Sequence, residues 1–325
     1  LGRRAHQRPF AGIAIATEPG KAWYLPLNSK TLDRGNVLDA LDVKLSDPKV
    51  GKIGHDIKHD LRLLLKEGYD IQGIEADTKL VAFLLDGSRE DAKLASLSRE
   101  YLGLDTISWD KLFGEKKERV AVFDAEPERV MQYAAQFADY ALRIADALSP
   151  QLKERELDKL ASDLEFPLIE VLGKMENRGI RIDKPYLAKL EKEMAKEIGS
   201  LEKECYELAG REFTIGSPKQ LGEVLFDELK LPVQGKTAKG KGRSTDQSTL
   251  EALVPMHELP AKVLEWRHLS KLKSTYVDQL PQLADDEDRV HTTYRQTVAT
   301  GRLSSKDPNL QNIPVRTDDG KKIRR

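Results

Sequence analysis

Asp183 opens a run of about 26 residues whose apolar side chains fall at spacings of three and four: Leu187, Leu190, Met194, Ile198, Leu201, Cys205 and Leu208. The opposite face alternates Glu and Lys. That spacing predicts one long amphipathic helix, with Asp183 as its N-cap and a length of about 40 Å. A helix of this length with a single apolar stripe needs a partner of similar length. Pro260 to Leu280 supplies one, with Val263, Trp266, Leu269, Tyr276 and Leu280, so the two are expected to zip together antiparallel, as in a coiled coil. Cys205 lies on the stripe and reads as core rather than as a reactive thiol. As the single cysteine of the chain it also excludes an internal disulfide framework, which fits a reducing cytosol.

Between the two long helices, Ser217 to Leu229 reads as a short helix starting at Ser217-Pro218. The loop Gln234 to Ser244 follows. Ser217 and Lys219 stand where free helical N–H groups and the helix dipole favour a phosphate. The glycine-rich basic stretch Gly235 to Arg243 is suited to covering phosphates, but it lacks P-loop spacing, which argues against nucleoside triphosphate binding there. Arg267 and Lys271 share a helix face, with Lys273 nearby. Like charges so placed repel by a few tenths of a kcal/mol, so that face is either solvated or opposite a polyanion.

The first half has a different rhythm. Gly12 to Thr17 alternates, Glu18-Pro19-Gly20 turns the chain, and Ala22 to Leu27 returns as a second strand. Lys52–Gly54 reads as a third strand. Ile57–Lys66, Thr78–Leu85, Ala92–Leu102 and Pro127–Leu148 read as helices, and so does Phe166–Glu176, with Gly179 as a left-handed C-cap. Strands followed by interleaved helices imply an α/β domain of about 150 residues, with the boundary to the helical second half near residue 155. Basic and acidic residues, 53 and 54, balance to a formal −1, so nucleic-acid contact has to come from local patches. No apolar run reaches 18 residues, which argues against a membrane span.

Near the end, Thr300 to Pro314 is a polar loop in which Arg302, Asn309, Gln311 and Asn312 crowd two-headed hydrogen-bonding groups without apolar periodicity. Such groups suit base edges, and minor-groove acceptors lie at similar places in every base pair. The stretch Thr300 to Arg316, TGRLSSKDPNLQNIPVR, resembles the opening of the palm in family-A DNA polymerases of the DNA polymerase I type. The resemblance runs back through Lys271–Tyr276, Ser217–Leu229 and Phe166–Asp183, and more weakly through the first half. It implies a ribonuclease-H-like 3′–5′ exonuclease domain over residues 1–155, then a thumb and the start of a palm over 156–325. It also implies a primer–template duplex as partner, held along its minor groove by the thumb. In the full-length protein it implies deoxynucleoside triphosphates and two Mg²⁺ on palm aspartates. Those aspartates lie beyond Arg325 in the family pattern, so this chain is expected to bind DNA without polymerising, as a cytoplasmic monomer that holds no cofactor of its own. Both ends look cut.

The exonuclease chemistry that the resemblance implies needs four carboxylates around two metal ions. The first Asp-x-Glu pair would lie upstream of Phe10. The second motif matches as Gly54 to Asp60, with Asp60 in the ligand position. The third, Tyr-x-x-x-Asp, reads Tyr133 to Phe137, with a benzyl group in place of the carboxylate. Asp139, six residues after Tyr133, lies about 240° around the helix and points away. The expectation is a vestigial domain, with Asp60 solvated and Phe137 in the core. Two other readings stay open, an active 3′–5′ exonuclease and a non-enzymatic DNA-binding protein. One further expectation concerns His291 to Thr300, read as a strand one residue shorter than the family pattern, which would re-aim Arg302.

Overall fold

The computed structural model describes residues 10–28, 32–115, 120–233 and 243–325. The glycine-rich basic stretch lies outside them except for Arg243. By their contacts the residues form two compact units, one of residues 1–179 with 291–310, the other of residues 180–290 with 311–325. The chain therefore passes between the units three times.

The first unit begins with the antiparallel hairpin β1 (Gly12–Glu18) and β2 (Lys21–Pro26), turned at Gly20 with φ 80°. α1 (Arg34–Leu45) follows, capped by Asp33, which accepts from Asn36 N–H. β3 (Lys52–Gly54) pairs in parallel with β4 (Ile74–Asp77), and the crossover between them is α2 (Ile57–Lys66). Strand directions are thus mixed, as the α/β reading expects, and are distributed over two-stranded pieces. α3 (Thr78–Leu85), α4 (Leu94–Leu102), α5 (Trp109–Phe113) and the 28-residue α6 (Pro127–Glu154) pack around these strands. Leu38, Leu61, Val81, Leu97, Ile144 and Leu148 form the centre of the core, each at most 2% exposed. α7 (Asp158–Leu160) leads through a π-helical turn into α8 (Phe166–Arg178), whose Phe166 and Ile169 join the same core. Gly179 has φ 68° but ψ 175°, so it leaves the helix in an extended conformation and not as the expected left-handed cap.

The second unit is mainly helical. β5 (Ile180–Arg181) precedes α9 (Lys184–Ala209), 26 residues long, with Asp183 accepting from Tyr186 N–H. Leu187, Leu190, Met194, Leu201 and Cys205 are buried along it. α10 (Pro218–Gly222) continues into a π-helical turn, and α11 (Gln247–Leu253) precedes α12 (Glu258–Leu272). A second π-helical turn, Lys273–Val277, extends α12, and α13 (Leu280–Leu283) leads to β6 (Arg289–Val290), which pairs antiparallel with β5. The side chains that bridge α9 and α12 run in opposite chain directions: Lys262–Glu204 at 2.8 Å, Trp266 to Glu202 at 3.0 Å, Lys273–Glu191 at 2.8 Å. The pair is antiparallel, as its stripes require. Beyond its end Cys205, Phe213, Leu221, Val224, Leu225, Leu250 and Val263 close a separate small core.

The chain then returns to the first unit as the hairpin β7 (Thr293–Arg295) and β8 (Ser304–Lys306). It ends in the second unit with α14 (Asp318–Arg324), whose Arg324 donates to the Ile313 carbonyl at 2.6 Å.

Candidate nucleic-acid interface

The carboxylates of the first unit are the first test of its chemistry. α2 starts after Asp56, which sits in the left-handed region at φ 60°. Asp77 ends β4 and serves two helix starts at once. It accepts from Asp56 N–H (3.1 Å) and Ile57 N–H (2.8 Å) on α2, and from Lys79 N–H (2.9 Å) and Leu80 N–H (3.3 Å) on α3. Burial and the Asp56 charge raise its pKa, and the donated N–H bonds pull it the other way. Asp56 pairs with Lys79 at 3.2 Å. Beside them His55, hydrogen-bonded to Thr78 Oγ1 at 2.9 Å, is pushed down to about 4 by burial and is neutral at ordinary pH. Asp60, one turn along α2, is exposed. Protein packed around it, then the Asp56 and Asp77 charges, push its carboxyl up to about 7.

On α6 the position that would carry the next carboxylate holds an aromatic cluster instead. Phe137 lies 4.6 Å from Tyr133 between ring centroids, Tyr133 meets Trp109 edge-on at 5.0 Å, and Trp109 meets Phe113 at 4.4 Å. Phe137 is half-buried against the core. Asp139 is buried and accepts from the hairpin-turn Gly20 N–H at 2.6 Å, with Arg143 at 3.4 Å. Two hard cations need several convergent oxygens. Asp77 is occupied by backbone N–H groups, Asp56 by Lys79 and Asp139 by the hairpin turn. Among the described residues no group of three or more His, Cys, Asp or Glu is placed to share a metal ion. These residues do not fit a two-metal centre.

A buried charge cluster that sequence reasoning missed lies nearby. Glu176 of α8, 1% exposed, is paired with Lys58 and with Arg62 Nη1 (2.8 Å), both on α2. Its Oε1 accepts from Tyr294 N–H at 2.7 Å, and Lys58 Nζ also donates to the Tyr294 carbonyl. The connection after β7 is fastened as well. Gln296 donates to the Glu165 side chain at 2.8 Å, Thr297 to the Glu90 carbonyl at 2.6 Å, and Arg295 to the same carbonyl at 3.2 Å. The only sequence signal was chemical, a lone Glu at a core-facing helix position, because its partners lie more than a hundred residues away.

The expected strand over residues 291–300 is short, ending at Arg295. Val298 N–H donates to the Gln296 carbonyl (2.8 Å) and Gly301 N–H to the Val298 carbonyl (2.9 Å), so the chain turns here. The shortening before Gly301 falls within these turns, where strand alternation no longer dictates which way Arg302 points. Arg302 is exposed on the β7–β8 connection, with no ion pair or side-chain hydrogen bond among the described residues. Below it Thr292 and Ser305, both buried, are hydrogen-bonded at 2.7 Å, and Leu310 N–H donates to Ser305 Oγ at 3.0 Å. Asn309 is exposed on this unit. Gln311 and Asn312, also exposed, belong to the second unit.

The basic residues of the helical rod differ in availability. Lys271 is exposed, its ammonium without an acidic partner among the described residues, and Lys219 is exposed near the start of α10. Arg267 is half-buried. Its guanidinium donates to the Thr245 carbonyl at 2.5 Å, and burial lowers its pKa. Lys273 is held between Glu191 and Asp278. Ser217 caps α10, its hydroxyl accepting from Gln220 N–H at 3.5 Å. Arg243 pairs with Asp227 and lies over the Phe226 ring at 5.2 Å.

The sequence model described as 3′-5′ exonuclease matches residues 3–153, and that of DNA polymerase family A matches residues 184–325. DNA polymerase I of Pseudomonas aeruginosa is 39% identical over 98% of this chain and 36% of its own length. That of Geobacillus stearothermophilus is 35% identical over 100% of the chain, again across 36% of its own length. The chain thus spans about a third of these relatives. Among solved structures, the POL domain of Pol1 from M. smegmatis, in complex with DNA primer-template and dNTP, matches with TM-score 0.78 and 33% identity, covering 94% of this chain and 49% of that one.

Proposed function

Because the chain belongs to the family-A DNA polymerases, we propose that it is the part of such an enzyme that grips primer–template DNA: a degenerate exonuclease domain over residues 1–155, then the thumb and the beginning of the palm over 156–325. Template-directed addition of deoxynucleotides, with two Mg²⁺ and dNTP, would be the activity of the full-length protein. This chain contributes the hold on the duplex. Lys271 and Lys219 are exposed cations on the rod and suit the phosphate backbone. Arg267 and Ser217 adjoin that surface, and they engage phosphate only where Thr245 and Gln220 release them or share them. Arg302, Asn309, Gln311 and Asn312 present forked groups for minor-groove acceptors common to all base pairs. The protein acts in this reading as a cytoplasmic monomer. No helix among the described residues is long and apolar enough to cross a membrane.

The observation that carries the reading is Arg302, an exposed guanidinium with no internal partner among the described residues, on a connection whose two flanking strands are tied down. A proofreading nuclease is the weaker alternative, because the carboxylates near Asp60 are already committed to backbone and lysine partners. Fluorescence anisotropy on hairpins with matched and mismatched primer ends, at several salt concentrations, tests the proposal. Binding should be sequence-independent and steeply salt-dependent. Lys271→Ala should lower the slope of log K against log[salt] by about one. Arg302→Ala should weaken matched ends more than mismatched ones, by about 1–3 kcal/mol. If neither substitution changes binding, the proposed grip is wrong.

A further inference from the structure

Tyr294 lies on β7 opposite Ser305 of β8. In an antiparallel pair a residue either exchanges both backbone bonds with its partner or turns both away. Tyr294 gives its N–H to Glu176 Oε1, and its carbonyl accepts from Lys58 Nζ. Two side chains therefore occupy the place where a further strand would pair with this edge. Lys58 also neutralises Glu176, whose carboxylate is buried and shared with Arg62. From Tyr294 the chain runs through the residues held by Glu165 and Glu90 to Arg302. Lys58 comes two residues before Asp60 in the Gly54–Asp60 stretch.

We propose that Lys58 is a positioning residue for primer-end recognition, a role that rests on the DNA-gripping function argued above. By holding the Tyr294 carbonyl while Glu176 holds its N–H, Lys58 fixes the edge of β7 and so the height and direction at which the connection presents Arg302. The helix that carries the second exonuclease motif is, in this chain, a mount for the palm hairpin. Removing the ammonium takes the side-chain donor from a half-buried carbonyl and leaves one cation fewer on a buried carboxylate, and both changes loosen β7.

The test uses the whole chain with Lys58→Met, Lys58→Arg and the double variant Lys58→Met/Glu176→Gln. In the double variant the buried carboxylate is neutralised together with the loss of Lys58, Arg62 keeps the amide oxygen as an acceptor in place of the carboxylate, and that amide can still accept from Tyr294 N–H. Amide exchange over residues 291–303 should quicken in Lys58→Met while exchange in α9 stays unchanged. The preference for a matched over a mismatched primer end should fall about five-fold or more. The salt slope should not move, because Lys58 touches no phosphate. Lys58→Arg should recover much of the preference. If Lys58→Met fails to fold, the double variant carries the same expectations, and unfolding of both would mean that Lys58 only holds the fold. Faster exchange with an unchanged preference would overturn the proposal, as would a lower salt slope with the preference intact. A wild-type chain that binds primer–template without any matched-end preference would refute the Arg302 reading itself, and that result is visible before any Lys58 variant is made.

Discussion

Replacing Phe137 with aspartate would put back the carboxylate that the exonuclease pattern has at that position, and the structure says what this costs. Phe137 is half-buried, stacked on Tyr133 at 4.6 Å and packed on the first unit's core. A phenyl ring can hide about 150–250 Å², so at half burial about 100 Å² is lost, or about 2.5 kcal/mol at about 25 cal/mol per Å². The stacked pair adds about 1 kcal/mol. An aspartate here still reaches water, which limits the charge penalty, so the sum is about 2–4 kcal/mol. Phe137→Leu keeps most of the apolar area and should cost only about 1 kcal/mol. Urea unfolding followed by Trp109 fluorescence, in a background with Trp23 and Trp266 replaced by Phe, reads both. With a slope of about 3 kcal/mol per M, the midpoint of Phe137→Asp should fall by about 1 M. A shift under about 0.2 M, or equal shifts for the two variants, would refute the burial argument. The same Phe137→Asp protein should release no more nucleotide from 3′-labelled single-stranded DNA with Mg²⁺ than the wild type, because the neighbouring carboxylates remain committed elsewhere.

Asp60 gives a pH signature. Its folded pKa is raised to about 7, above an unfolded value of about 4, so the folded state keeps a proton that the unfolded state has released. Stability should therefore fall as pH rises through that window and level off above it, and Asp60→Asn should flatten this part of the melting-temperature profile. A profile unchanged by the substitution would place the titration elsewhere. For Cys205, burial pushes the thiol up to about 11, so it stays protonated at pH 8 and should resist iodoacetamide until the protein is unfolded in urea. Mass spectrometry that finds rapid native labelling would show that the stripe of α9 opens.

The helical unit was legible because its signals are local. Asp183 caps α9, Leu187, Leu190, Met194, Leu201 and Cys205 of its stripe are buried with Ile198 half-buried between them, and the antiparallel partner follows from a second stripe of matching length. β4 was missed because Ile74–Asp77 is too short to show alternation, and its strand character comes from pairing with β3. α1 was missed because only Leu38 of its twelve residues is buried, so no apolar period stands out. The strand over 291–300 was read too long, since Gln296 to Gly301 is shaped by turns and by contacts with Glu90 and Glu165. At the candidate site, exposed Arg302 and Lys271 could be picked from side-chain chemistry. The engagement of Arg267 with Thr245, and the Lys58–Glu176–Tyr294 cluster, depend on residues far apart in the chain that no spacing rule relates.

The pairing of β5 with β6 bears on how the chain reaches its native state. Ile180 lies opposite Val290, so the two ends of a 111-residue excursion from the first unit meet side by side. Closing a flexible loop of that length costs about 4 kcal/mol in chain entropy. A helical unit that folds by itself and brings its own ends together removes most of that cost beforehand, and the first unit then experiences a short turn. On a ribosome the order is forced: residues 291–310 emerge only after the whole helical insert, so β7 and β8 are late arrivals to a partly built first unit. Until they arrive, Glu176 and Lys58 lack the Tyr294 backbone that they hold in the finished unit. The first unit is thus left waiting for its final hairpin through the synthesis of more than a hundred residues, which makes this the stage of biosynthesis at which chaperone help would matter most.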